Sequence, residues 1–95
     1  MKLERSDAAV SDLDEIWTYV ARDSLRAADQ LADQLDEEIQ RLLDFPRMGV
    51  AREDLAPNLR ALRMDNLIVF YRIEGELLSI ERILHVRMDA SGIAF

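Results

Sequence analysis

Three features of the sequence predict an α+β fold. Apolar residues recur at spacings of three and four between Asp7 and Asp44, three short aliphatic runs lie between Leu59 and Leu84, and turn-forming residues separate those runs. The predicted order is β-α-α-β-β-β: an N-terminal strand, then an antiparallel helical hairpin packed on one face of a small antiparallel sheet. With 95 residues, 49% of them apolar, residues 1–95 are expected to form a single domain, because a chain of this size buries only about 60 to 70% of its unfolded surface.

Met1 to Arg5 alternates apolar and polar residues and is expected as an edge strand. From Asp7 the pattern turns helical. Val10, Leu13, Ile16, Trp17 and Val20 fall on one stripe, with Asp12, Asp14, Glu15 and Thr18 opposite. Ser6 or Asp7 suits the N-cap, and the first helix is placed at Ala8 to Ala21. Trp17 is expected in the core and Tyr19, off the stripe, at the surface. Arg22-Asp23-Ser24 breaks the pattern, and a second stripe follows through Ala28, Leu31, Ala32, Leu35, Ile39, Leu42 and Leu43. A three-residue connection makes the two helices an antiparallel hairpin. Phe45-Pro46 ends the second helix, since the residue before proline is pushed out of the α region. Residues 47–58 read as a loop punctuated by Gly49 and Pro57.

Strands are predicted at 59–64, 67–73 and 77–84, joined by Asp65-Asn66 and by a turn containing Gly75, as an antiparallel meander. The near-continuous apolar run of the middle strand implies burial on both faces. Alternation through two-residue turns then sorts the side chains. Leu62, Met64, Val69, Tyr71, Leu78, Ile80 and Leu84 face the helices. Arg63, Ile68, Phe70, Arg72, Ser79, Glu81, Ile83 and His85 share the reverse face, which is too apolar for bare solvent and too charged for a core. That mixture suits a binding face. The competing reading is a cross-strand charge ladder of Arg63, Arg72 and Glu81 on a solvated sheet.

Charge narrows the partners. Residues 1–44 hold twelve acids and five bases, which accounts for the whole formal charge of −7, while residues 45–95 hold seven of each and every base there is arginine. Arginine suits bidentate pairing with carboxylate or phosphate, although a run of arginines is also a habit of GC-rich genomes. An acidic chain argues against direct high-affinity nucleic-acid binding, whose affinity comes from counterion release at a basic surface. Cysteine is absent, so a reducing cytoplasm is expected. No leader is expected, and the longest apolar run, LIVFY at 67–71, is far short of the roughly 20 residues that cross a bilayer, so no membrane association is expected. The carboxylate pairs Asp14-Glu15 and Glu37-Glu38 read as solvated helix faces. Neither a metal nor a cofactor is expected.

The element order, together with DLDEIWTYVA (12–21), the alanine-rich start of the second helix, FPRMG (45–49), PNLRALRM (57–64), VFYRI (69–73) and IERILHVRMD (80–89), resembles the ParE-like branch of the ParE/RelE toxin superfamily over nearly the whole chain. The resemblance implies the toxin of a type II toxin–antitoxin pair, concerned with plasmid stabilisation and growth arrest. ParE-like members are understood to act on DNA gyrase and RelE-like members to cut mRNA in the ribosome. The implied partners are a cognate ParD-like antitoxin and gyrase. A homodimer through the open face is left open.

Cutting RNA by 2′-hydroxyl attack needs a base, an acid and cations converging on one phosphate. His85, Arg63 and Arg72 are the residues that a nuclease would use, but the chain has one lysine, Lys2, and no tyrosine after Tyr71. The family's frequent H-x-x-R-D ending is altered, with Met88 where the arginine would stand and Arg87 beside it. The expectation is therefore a non-enzymatic binding toxin that inhibits gyrase and is neutralised by its antitoxin, with no catalytic residue. Partner contacts are assigned to Arg63, Ile68, Phe70, Arg72, Glu81, Ile83, His85 and Arg87. Arg60, Arg82 and Trp17 are assigned structural roles, the two arginines reaching an acid of the hairpin such as Asp12, Glu15 or Asp36. The alternatives are a ribosome-dependent endoribonuclease and a degenerate, non-toxic antitoxin-binding homologue.

Overall fold

The computed structural model describes residues 1–95. It contains β1 (Lys2–Arg5), α1 (Asp7–Ala21), α2 (Leu25–Asp44), β2 (Val50–Ala51), β3 (Leu59–Met64), β4 (Leu67–Glu74), β5 (Leu77–His85) and a 3-10 turn at Ala90–Gly92. Both helices start on a serine cap, Ser6 for α1, one of the two residues expected there, and Ser24 for α2. Ser6 Oγ accepts from the Ala9 N–H at 3.0 Å and Ser24 Oγ from the Ala27 N–H at 3.1 Å, each satisfying a donor that has no intrahelical partner. No helix is long and apolar enough to cross a membrane.

The five strands form one sheet in the order β1-β5-β4-β3-β2. The meander β3-β4-β5 is antiparallel, with turns at Asp65-Asn66 and Gly75-Glu76. Asp65 and Gly75 both take positive φ, 51° and 58°, as two-residue hairpin turns require. Two features differ from expectation. The sheet is mixed, because β1 runs parallel to β5, from Lys2 beside Leu77 to Arg5 beside Ile80. The predicted loop at 47–58 contains a two-residue edge strand, Val50–Ala51, paired with Ala61 and Arg60. Two residues are too short a run to show alternation, so no strand signal is present in that stretch.

The main core lies between the hairpin and one face of the sheet. Ala9 of α1 and Leu35, Ile39 and Leu42 of α2 meet Val69, Tyr71, Leu78, Ile80 and Ile83. Trp17 is not part of that buried cluster. It is half-buried, and its indole N–H donates to Asp29 Oδ1 at 3.2 Å, tying α1 to α2. Val10, counted on the first stripe, is 46% exposed.

One irregularity reorders the far end of β5. Tyr71 pairs with Ile80 but Phe70 pairs with Arg82, so Glu81 is an extra residue, a β-bulge. Beyond it the alternation reverses. Ile83 joins the helix-side core, whereas Leu84 packs on the reverse face with Leu59 and Phe70. The predicted placements of Ile83, Leu84 and His85 are thus corrected together, since a one-residue slip moves every later side chain to the other face.

The bulge is anchored by α1. Ser6 Oγ donates to the Glu81 carbonyl at 2.6 Å, and the Ile83 N–H donates to Asp12 Oδ2 at 3.0 Å. β1 ends opposite Ile80, so past that point β5 has no strand neighbour on that side. Side chains of the cap and first turns of α1 therefore satisfy backbone groups that a longer β1 would have paired.

Candidate functional site

The reverse face of the sheet, expected to be open, is closed by the chain itself. Leu59, Phe70 and Leu84 form a second buried cluster, covered by Leu55 and Ala56 of the 52–58 loop and by Ala90, Ile93 and Phe95 of the C-terminal segment. The Phe70 and Phe95 rings lie 4.9 Å apart at 50°, a tilted aromatic pair. Arg72 anchors this cover. Its guanidinium donates to the carbonyls of Pro57 at 3.2 Å and Phe95 at 3.1 Å, and it lies 3.6 Å from Glu81. The cover comes from the 52–58 loop and the C-terminal segment, which strand alternation alone does not reveal.

The expected partner residues therefore scatter. Phe70 is 1% exposed and Ile83 2% exposed, so neither offers a surface in this conformation. Ile68, Arg72 and Glu81 are half-buried under or beside the tail. Arg63 is exposed, its Nε–H donating to the Asp65 carbonyl at 2.9 Å, and Arg87 is exposed in the turn after β5. His85 pairs with Leu67, a residue of the helix-side core, and so sits on the opposite side from its expected place. Its Nδ1 accepts the Arg87 backbone N–H at 3.1 Å.

The structure does not bring His85, Arg63 and Arg72 together. Arg63 pairs with Ile68 and Arg72 with Leu59, which places the two arginines four residues apart along β3, about 13 Å at strand rise. His85 lies on the other face, and Arg72 is already engaged by two carbonyls and a carboxylate.

The residues assigned structural roles divide. Arg82 makes the expected contact with the hairpin, its Nε and Nη2 donating to the two Asp12 oxygens at 2.7 and 2.9 Å. This bidentate pairing with Asp12 raises the Arg82 pKa further. Arg60 finds no hairpin acid. Its Nη1 donates to the Gly49 carbonyl at 2.6 Å, beside the buried Tyr71, whose hydroxyl accepts the Gly49 N–H at 2.9 Å and donates to the Pro46 carbonyl at 2.7 Å. A Cβ at Gly49 would lie 2.6 Å from the Tyr71 hydroxyl, so only glycine fits the turn that these two side chains hold.

A further concavity lies on the helix side, at the end of the sheet where His85 emerges. It is a groove of about 910 Å³ between the outer flank of α1 and the β3–β4 turn. Ile16, Val20, Leu31 and Leu67 give it an apolar lining, and Asp14, Glu15 and Asp65 supply carboxylates. Tyr19, 71% exposed, stands on its rim. Asp14 and Glu15 are exposed, as expected of a solvated helix face, and they also form part of this groove's wall.

Comparison with known proteins bears on this geometry. Residues 3–90 match the family described as the ParE toxin of the type II toxin-antitoxin system, parDE. Toxin ParE1 of Mycobacterium tuberculosis is 38% identical over 87 residues, spanning 88% of this chain and 88% of its own length. Toxin ParE1 of Caulobacter vibrioides is 36% identical over 86 residues, spanning 90% of this chain and 88% of its own. Among solved structures, a chain of the chromosomal ParDE TA system from P. aeruginosa superposes with a TM-score of 0.75 and 25% identity, covering 90% of this chain and 95% of that one.

Proposed function

We infer function from the premise that this chain belongs to the ParE toxin family of type II toxin–antitoxin systems, and propose that it acts by binding and inhibiting DNA gyrase. It works in the cytoplasm, without catalysing a reaction, and a ParD-type antitoxin neutralises it. Relatives named as ParE toxins and a solved relative from a ParDE system support the antitoxin as partner. One observation favours binding over RNA cleavage: His85, Arg63 and Arg72 are dispersed over two faces and about 13 Å of strand. No phosphate could touch all three at hydrogen-bonding distance. The acidity of the chain supports the same reading, since a net charge of −7 opposes approach to an RNA-lined surface. Of the residues first assigned to partner contact, Arg63 and Arg87 remain solvent-facing and are the ones proposed to meet gyrase, whereas Phe70 and Ile83 are packing residues.

The test is plasmid supercoiling by purified gyrase. The protein is expected to suppress supercoiling, and the antitoxin added first is expected to restore it. Undiminished supercoiling, accompanied by site-specific cuts in ribosome-bound mRNA, would replace this reading with the endoribonuclease one.

A further inference from the structure

At the end of the sheet away from His85, the 46–49 turn and the start of β3 border a second pocket, of about 370 Å³. Its walls carry Arg47, Arg60, Asn58 and Glu53, beside Leu59 and Ile73. We propose that this pocket binds a phosphate group, held between the guanidinium groups of Arg47 and Arg60. It uses neither Arg63 nor Arg87, the residues proposed to meet gyrase, and stands independently of that reading.

The two arginines share a pocket without a counter-charge. Arg5, Arg41, Arg52, Arg72 and Arg82 each pair with a carboxylate. Arg47 and Arg60 pair with none, in a chain that has 19 acidic residues against 12 basic ones. Glu53, in the same walls, pairs with neither. Like charges this exposed to one another are relieved by an anion between them.

Arg60 is held ready for one. Its Nη1 donates to the Gly49 carbonyl at 2.6 Å, and Gly49 is buried and bonded through its N–H to the Tyr71 hydroxyl at 2.9 Å. One N–H of the guanidinium fixes the group in place and the rest of the fork stays open. Little side-chain freedom is then lost when an anion arrives.

Donor geometry selects the ligand. A carboxylate has two oxygens, which a single guanidinium fork satisfies. A phosphate accepts from both forks at once, exposed Arg47 on one side and half-buried Arg60 on the other. The volume lies near the lower end of the roughly 300–1,000 Å³ range of small-ligand sites, which suits a phosphate and a small ester group. All eight lining residues fall between positions 47 and 75, in the half of the chain whose charges balance. The pocket is a local contact and not a basic surface, so it engages about one phosphate of a DNA backbone and binds DNA weakly.

The test titrates the isotope-labelled full chain with sodium phosphate at constant ionic strength, read by the NMR shifts of backbone amides and arginine Nε–H groups. Saturable shifts confined to Arg47, Asn58, Arg60 and Gly75 are expected. Arg47→Ala should weaken binding about tenfold. Glu53→Gln, which removes the one carboxylate in the walls, should tighten it about threefold, a gain that a misfolded variant does not produce. Arg26→Ala, which removes an exposed charge on α2, should change it less than about twofold. A short DNA duplex is the second probe: phosphate displaced by the duplex identifies a backbone phosphate as the source, and phosphate undisturbed by it identifies a free phosphate or phosphate ester. No saturable shift below roughly 20 mM phosphate, shifts spread over all the exposed arginines, or unchanged affinity in Arg47→Ala would each overturn the proposal.

Discussion

Tyr71 illustrates how one side chain can hold a turn from beneath. It is fully buried, yet its hydroxyl has a donor and an acceptor in the 46–49 turn, so no polar atom is stranded. Tyr71→Phe keeps the ring and removes the hydroxyl, leaving the Gly49 N–H unpaired, and is expected to cost about 1–3 kcal/mol in urea denaturation. Burial pushes the phenol above its ordinary value of 10.0, against the opposing pull of the Gly49 N–H and the Arg60 charge. A folded-state value above the unfolded one contributes stability that is intact below pH 10 and lost as pH climbs through the folded value. Stability of the parent should therefore fall above about pH 10, and Tyr71→Phe should lack that component of the fall. The Arg82–Asp12 pair is the other residue-scale anchor. Its side chains are only 22% and 12% exposed, and Asp12 also holds the Ile83 N–H. Asp12→Ala should cost about 2–4 kcal/mol by thermal or urea melting, because it strips a part-buried guanidinium and a backbone donor at once. A cost near zero would show that the bulge stands without α1.

Among the elements, the helices were legible and the end of β5 was not. Apolar spacing, a cap at Ser6 or Asp7 and the stop at Phe45-Pro46 are local signals, and they placed α1 and α2 within a residue or two of Asp7–Ala21 and Leu25–Asp44. Alternation sorted β3 and β4 correctly, with Val69 and Tyr71 facing the helices and Ile68 and Phe70 facing away. The bulge at Glu81 has no local marker, neither glycine nor proline, because the groups that fix it, Ser6 and Asp12, lie about seventy residues earlier. Parallel pairing of β1 with β5 is hidden for the same reason. The tail carries no periodicity in its six residues, yet it decides whether the reverse face is open. Phe95→Ala should lower stability by about 1–2 kcal/mol and raise the fluorescence of an apolar-surface dye, as Phe70 loses its ring partner. Unchanged melting and unchanged dye binding would mean that the tail does not hold that face.

For the whole molecule, the most informative quantity in the sequence was the distribution of charge. The hairpin half holds the full −7 and the sheet half is neutral, and the open groove lies beside the first helix of the acidic half. Charge and family resemblance together lead to the expectation of a binding toxin. The reverse face of the sheet, expected to be open, is covered by the 52–58 loop and the C-terminal segment, because a face that looks unpartnered in a strand pattern can be covered by remote segments of the same chain. A binding toxin and an enzyme differ most plainly in stoichiometry. Gyrase at fixed concentration, titrated with this protein, should lose supercoiling activity in proportion to added toxin and reach its floor near one toxin per gyrase complex, with no deepening over time. Full activity in molar excess of toxin, or progressive inactivation by traces of it, would contradict the account.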